Sequence, residues 1–276
     1  MIIKSFLFIY LLLPSISLAT ERNDLPSCYE FVKLDNIRPS PSGRELVLII
    51  DETTHLPVEI KTSAFNHTIR FIKPGDSLRL YRISAFMASN FLQLEYVARL
   101  EKKLTNKVRN DIGMNTLKKL DHCLEQQRLA FRNELIKKMA ASFGNKNKEI
   151  SKSEILFSLQ KISHEIPSKN INQRSVLIVS DMLENSDFTT FYAHDHIREI
   201  KPHQELKKVV NKNLLADLDG WHVYVEAAGV GPHNAKYGYR SGKIMQSLEQ
   251  FWQLYFERSG AILKGFGTPM LTAEIN

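Results

Sequence analysis

Two kinds of apolar pattern alternate along the chain. Residues 46–50 (Leu-Val-Leu-Ile-Ile) form an unbroken apolar run of strand length that stops at Asp51, as expected of a central parallel strand covered on both faces. Ile60, Ala64, Phe65, Ile69 and Ile72 then recur at helical spacing, with Pro57 where a first helical turn tolerates it. Lys73-Pro74-Gly75-Asp76 breaks that helix. Residues 78–83 follow as a strand in which Leu78 and Leu80 alternate with Arg79 and Tyr81. Strand, helix and strand in this order predict a βαβ unit with a right-handed crossover.

Residues 90–143 read as mostly helical. Leu94, Val97 and Leu104 mark one segment and Leu120, Leu124, Phe131, Leu135 and Met139 another, with a lapse over 106–115 and no strand visible. Ile155, Leu156, Leu159 and Ile162 define a short helix that ends before Pro167. The run 176–179 gives a second buried strand, leading into Ser180-Asp181. A polar, histidine-containing loop precedes a strand at 223–227. Ile244, Leu248, Phe251, Trp252 and Tyr255 form the core face of a last helix, and 261–263 begins an edge strand. The predicted fold is therefore three-layer α/β, with a mostly parallel central sheet and helices on both faces. It occupies residues 44–276 as a single domain with a helical insertion at about 90–143.

The amino-terminal part has a different composition. A basic start at Lys4, an apolar run over 6–13 and Ser17-Leu18-Ala19 have the form of a signal peptide covering residues 1–19, and the run is short for a membrane span. A polar, turn-rich leader occupies 20–43. The expected location is periplasmic or secreted, with no integral span in the mature chain. In such a compartment the chain's two cysteines, Cys28 and Cys123, can form a disulfide that pins the leader to the domain; sequence alone leaves open whether they meet.

Net charge is +7. The cations are scattered in pairs such as Lys118-Lys119, Lys137-Lys138 and Lys207-Lys208, without interleaved aromatics. A solvated surface suited to anionic envelope partners fits better than a nucleic-acid interface.

Candidate chemistry lies at the strand ends. In open parallel sheets, ligands bind beyond the carboxyl ends of strands near the topological switch point. Asp51 and Asp181 each end an apolar strand, and Asp51-Glu52-Thr53-Thr54-His55 adds further donors after the first. Carboxylates and hydroxyls together suit a hard cation such as Mg²⁺, Mn²⁺ or Ca²⁺.

This arrangement resembles the metal-ion-dependent adhesion site of von Willebrand factor type A domains. That family carries Asp-x-Ser/Thr-x-Ser after its first strand, a Thr or Ser on a middle loop and an Asp after its fourth strand. Asp51 and Thr53 match the first motif and Asp181 the last; Ser153 is the nearest equivalent of the middle hydroxyl, with Ser151 as the other choice. The resemblance spans residues 44–266 by order of elements. His55 departs from it, standing where the family has a second metal-binding serine, and an imidazole favours softer metals. Ser180-Asp181-Met182-Leu183-Glu184-Asn185-Ser186, Phe191-Tyr192, Phe251-Trp252-Gln253-Leu254-Tyr255-Phe256 and Gly260-Ala261 are similar to an uncharacterised bacterial exported subgroup of that fold. This likeness implies the fold and no particular activity.

Other signals are weaker. His194-Asp195-His196 with His203 has no fourth ligand at a defined spacing. Gly229-Val230-Gly231-Pro232 misses the third glycine of a dinucleotide loop, and no Gly-x-Ser-x-Gly elbow is present. Asn66-His67-Thr68 is a sequon inside a predicted helix.

The sequence thus favours a non-enzymatic protein-binding module with a degenerate adhesion-type cation site and no catalytic residues. One alternative is a metal-dependent hydrolase using Glu52 or His55 as base. Another is a structural subunit of a conjugation or secretion apparatus.

Overall fold

A computed structural model describes residues 22–84, 91–144, 152–166, 171–193, 196–230 and 242–276. Residues 1–19, Ser151, His194, Asp195, Gly231 and Pro232 lie outside the described residues.

The leader forms a short helix, α1 (Cys28–Val32), and a 3-10 turn (Asp35–Ile37). The chain then runs through β1 (Arg44–Asp51), α2 (Val58–Phe71), β2 (Ser77–Ile83), β3 (Leu92–Arg99), α3 (Asn106–Arg109), α4 (Met114–Ser142), α5 (Ile155–Glu165) and β4 (Gln173–Val179). It continues through β5 (Tyr192–Ala193), β6 (His196–Ile197), α6 (Pro202–Asn211), β7 (His222–Glu226), α7 (Gly242–Arg258) and β8 (Ile262–Phe266).

Six strands make the central sheet in the order β3-β2-β1-β4-β7-β8, and β5 with β6 forms a separate small ribbon. All neighbours in the main sheet are parallel except β2 and β3. Reversal of strand order beside β1 is the doubly wound pattern, which places a crevice at the carboxyl ends of β1 and β4.

Period-2 alternation divides the core between the two faces. Val47, Ile49, Val176, Ile178, Val223 and Val225 pack with α5, α6 and α7. Leu46, Leu48, Ile50, Leu177, Val179 and Tyr224 pack with α2 and the carboxyl half of α4. The aromatic run on α7 is core: Phe251, Trp252, Tyr255 and Phe256 are completely buried.

The helical expectation for residues 90–143 requires correction at its start. Leu92–Arg99 is an antiparallel edge strand, with Leu92 opposite Ile83 and Arg99 opposite Ser77. Its Leu92-Gln93-Leu94-Glu95-Tyr96 alternation has period 2, and pairing with β2 decides between that and the helical spacing of Leu94 and Val97. The leader shields part of its open edge. Asp24 N–H donates to the Val97 carbonyl (2.8 Å), Val97 N–H donates to Asp24 Oδ2 (2.9 Å) and Arg99 N–H donates to Asn23 Oδ1 (3.1 Å). Beyond α3 the helical reading holds, and α4 buries Leu120, Leu124, Phe131, Leu135 and Met139.

Cys28 and Cys123 form a disulfide, with Cα atoms 5.6 Å apart. It ties α1 to the amino half of α4 around a small cluster of Tyr29, Leu104, Leu120 and Leu124. Among the described residues no helix is long and apolar enough to cross a membrane.

Candidate functional site

Register places the site. Ile50 of β1 faces Val179 of β4, so Asp51 and Ser180 are the next neighbours at the carboxyl rim of adjacent parallel strands. The Asp51 side chain is fully buried, yet its surroundings are polar. Oδ1 accepts hydrogen bonds from Thr53 N–H (2.9 Å) and Thr53 Oγ1 (2.5 Å). Oδ2 accepts from Ser180 Oγ (2.7 Å) and Ser153 Oγ (3.1 Å). Burial pushes the Asp51 pKa up, and these four hydrogen bonds act to hold it down.

Three of the four residues expected to hold a metal, Asp51, Thr53 and Ser153, therefore meet directly. The fourth, Asp181, lies on the same rim with a different role. Its Oδ1 accepts from Leu183 N–H (2.9 Å), forming an Asx turn, and its N–H donates to Thr54 Oγ1 (3.4 Å). Ser180, absent from the sequence-based set, takes the place beside Asp51. His55 is partly buried in the loop between β1 and α2, and makes none of the contacts to the Asp51 carboxylate.

The Ser180–Ser186 motif builds this rim. Ser180 Oγ, while donating to Asp51, accepts from Met182 N–H (3.0 Å). Met182 has a left-handed backbone (φ 60°), unfavourable for a non-glycine residue by about 1 kcal/mol. Its carbonyl is held by the Trp252 indole N–H at 2.9 Å. Asn185 and Ser153 exchange two backbone hydrogen bonds (3.0 and 2.9 Å), which fixes Ser153 beside the sheet. Glu184 Oε2 accepts from Ile155 N–H (2.9 Å) and Leu156 N–H (3.0 Å) at the start of α5. It thereby supplies from a distant segment the cap that Glu154 does not.

Two further carboxyl groups are buried near the strand ends. Burial raises the Glu184 pKa to about 8, against its hydrogen bonds from Ser186 and from the backbone of Leu156 and Ile155. Glu226 ends β7 on the α2 side and is completely buried, and among the described residues neither side-chain oxygen has a hydrogen-bond partner of normal geometry. Burial raises its pKa to about 7, while nearby Ser63 and the more distant charge of Arg70 favour the ion. Free glutamate titrates near 4.3, so the folded protein binds more protons than the unfolded chain between that value and pH 7 to 8. The contribution of these groups to stability is consequently full near pH 4 and lost as pH rises through 7 and 8. Urea midpoints are expected to fall from pH 5 to pH 9, and Glu226→Gln should flatten the fall near neutrality. Identical profiles for wild type and Glu226→Gln would show that Glu226 does not titrate there.

No protein-family model matches this sequence, and no curated protein is similar enough to it to be named as a relative. The functional reading therefore rests on the geometry of the rim.

Chemically, the cluster is one carboxylate surrounded by hydroxyl groups from three segments. Each hydroxyl that donates its proton to Asp51 keeps lone pairs on its oxygen. Such oxygen donors fit a hard cation. Among the described residues no group of three or more His, Cys, Asp or Glu side chains is placed to hold a metal. The acidic contribution is confined to Asp51 and Asp181, with hydroxyls supplying the rest.

Proposed function

We propose that the protein is an exported protein-binding module whose contact point is a hard cation at this rim. Thr53, Ser153 and Ser180 would offer oxygen ligands, Asp51 would orient them and supply negative charge, and Asp181 would add a second carboxylate. A bound divalent ion would provide a Lewis-acidic point that an acidic side chain of a partner protein can complete. The observation carrying this reading is the meeting of three hydroxyls from separate segments on one buried carboxylate at the switch point. The resemblance to von Willebrand factor type A domains and the signal-like residues 1–19 support an envelope location for the module. The disulfide agrees with an oxidising compartment.

The hydrolase alternative has less support. Glu52, its carboxylate candidate for general base, is already engaged by the Arg82 guanidinium.

Asp51→Ala would leave four donor groups without their acceptor, so it tests folding and binding together. Thr53→Val removes one hydroxyl at nearly constant shape and is the cleaner probe. Mn²⁺, Mg²⁺ and Ca²⁺ titrations, read by calorimetry and by metal analysis after desalting, are expected to show one site per chain. Thr53→Val should weaken it about tenfold or more while lowering stability only by the loss of one hydrogen bond, about 1–2 kcal/mol, so that the variant stays folded. Wild-type protein that binds none of the three ions would remove the cation from the mechanism.

A further inference from the structure

A second candidate site lies at the opposite end of the sheet. Residues 38–41 enter β1 there, Gly75 precedes β2 and Arg99 ends the antiparallel β3. These segments enclose a cavity of about 130 Å³ whose walls include Arg38, Ser40, Gly75, Arg99, Glu101 and Lys102. A buried water needs about 10–15 Å³ measured in this way, whereas drug-sized ligands occupy pockets of roughly 300–1,000 Å³. The space therefore suits a small polyatomic group, either free or as the head of a larger molecule.

Charge selects the kind of group. Arg38, Arg99 and Lys102 line the cavity together with one carboxylate, Glu101, whose oxygens are engaged by neighbouring groups. Glu101 Oε1 accepts from Ser27 Oγ (2.7 Å), and Oε2 accepts from Cys28 N–H (2.7 Å) and Gln127 Nε2 (3.2 Å). Arg38 Nη1 ion-pairs with Glu101 and Glu30 at 3.6 Å and lies 3.5 Å from Ser27 Oγ, and the Arg38 and Glu30 side chains remain 44% and 67% exposed. The Lys102 stem lies across Gly75, where an added Cβ would come within 2.1 Å of Lys102 Cε. Gly75 also has φ +97°, so the turn itself calls for glycine. The Lys102 ammonium has no ion-pair partner among the described residues.

We infer that this cavity binds a phosphate group, held by Arg38 and Lys102 with Arg99 in the wall and the Ser40 hydroxyl at the rim. Guanidinium, ammonium and hydroxyl donors around a small concave space match the several acceptor oxygens of a tetrahedral dianion. The same chemistry is offered by free phosphate and by a phosphomonoester lipid headgroup, and the site is independent of the cation proposed at the other rim.

The test uses the full mature chain at pH 7 and constant ionic strength set with NaCl, because unspecific anion effects are screened equally under those conditions. Inorganic phosphate is titrated by calorimetry and by amide chemical-shift changes. Saturable binding with shifts at 38–41, 75 and 99–102 is expected. Lys102→Gln and Arg38→Gln should each weaken it about tenfold, and Lys119→Gln on α4 should leave it unchanged. A second arm measures sedimentation with phosphatidic acid vesicles. Vesicle binding that inorganic phosphate competes away and Lys102→Gln abolishes would identify the headgroup as the source. Phosphate binding without vesicle binding would identify a free small anion. Absence of saturable phosphate binding, or equal affinity in wild type, Lys102→Gln and Arg38→Gln, would overturn the inference.

Discussion

Replacing Glu45 by alanine is expected to lower the unfolding free energy by about 3–5 kcal/mol. Glu45 lies in β1 at the end of the sheet away from Asp51. Its Oε1 accepts from Arg79 Nε at 2.8 Å and its Oε2 from Arg174 Nε at 2.7 Å. All three side chains are nearly inaccessible, at 3%, 9% and 7% exposure for Glu45, Arg79 and Arg174. Register dictates the grouping: Glu45 sits directly opposite Arg174 across β1 and β4, and Arg79 is diagonal to it across β1 and β2. Losing the carboxylate would remove the shared acceptor of two buried guanidinium groups, while Arg174 retains a stacking contact over Trp221 at 4.7 Å. Desolvation of both guanidinium groups makes loss of their common carboxylate severe. Glu45→Gln keeps the volume and one acceptor and should cost less. Urea unfolding of the three proteins checks this, with a lower midpoint at unchanged slope expected for Glu45→Ala. Because the group is desolvated, added salt should alter the difference little. A cost below about 1 kcal/mol would mean that water reaches the arginines freely.

The parts of this architecture written in local pattern are those that the sequence reveals. The runs 46–50 and 176–179 can be strands buried on both faces and little else, and the last helix declares itself through Leu248, Phe251, Trp252 and Tyr255. Edge strand β3 is less legible because its side chains are only partly buried, and its identity depends on pairing with β2. The site was half visible. Asp51, Thr53 and Ser153 can be found from residue type and position, but Asp181 was expected where Ser180 stands. Parity carried the missing information. Val47 and Ile49 share a face with Val176 and Ile178, so the residue of β4 that continues onto the face of Asp51 is 180, not 181. No local signal could show that Glu184 caps α5, that Met182 takes a left-handed backbone, or that Glu226 is completely buried. Each depends on which distant segments the fold brings together.

Removing the disulfide should have an effect of similar size by a different route. Cys28→Ser with Cys123→Ser is expected to cost about 2–5 kcal/mol, because the bridge closes a sequence separation of 95 residues and restricts the unfolded chain. The native structure gives the loss a location. A five-residue helix such as α1 cannot persist alone, and its anchors are the bridge, the buried Tyr29 and the hydrogen bonds from Ser27 and Cys28 to Glu101. Amide exchange in the double variant should therefore rise most in α1 and the amino half of α4, while β1, β4 and β7 stay protected at a lower global limit. The slope of unfolding with urea should increase, since an uncrosslinked chain exposes more surface. A variant that matches wild type in both midpoint and α1 protection would show that packing around Tyr29 and Leu124 suffices without the bridge. The predicted loss would also tie folding to compartment. The leader carries one half-cystine and helps form the phosphate cavity, so a reducing environment would loosen the bottom of the sheet while leaving the Asp51 rim intact.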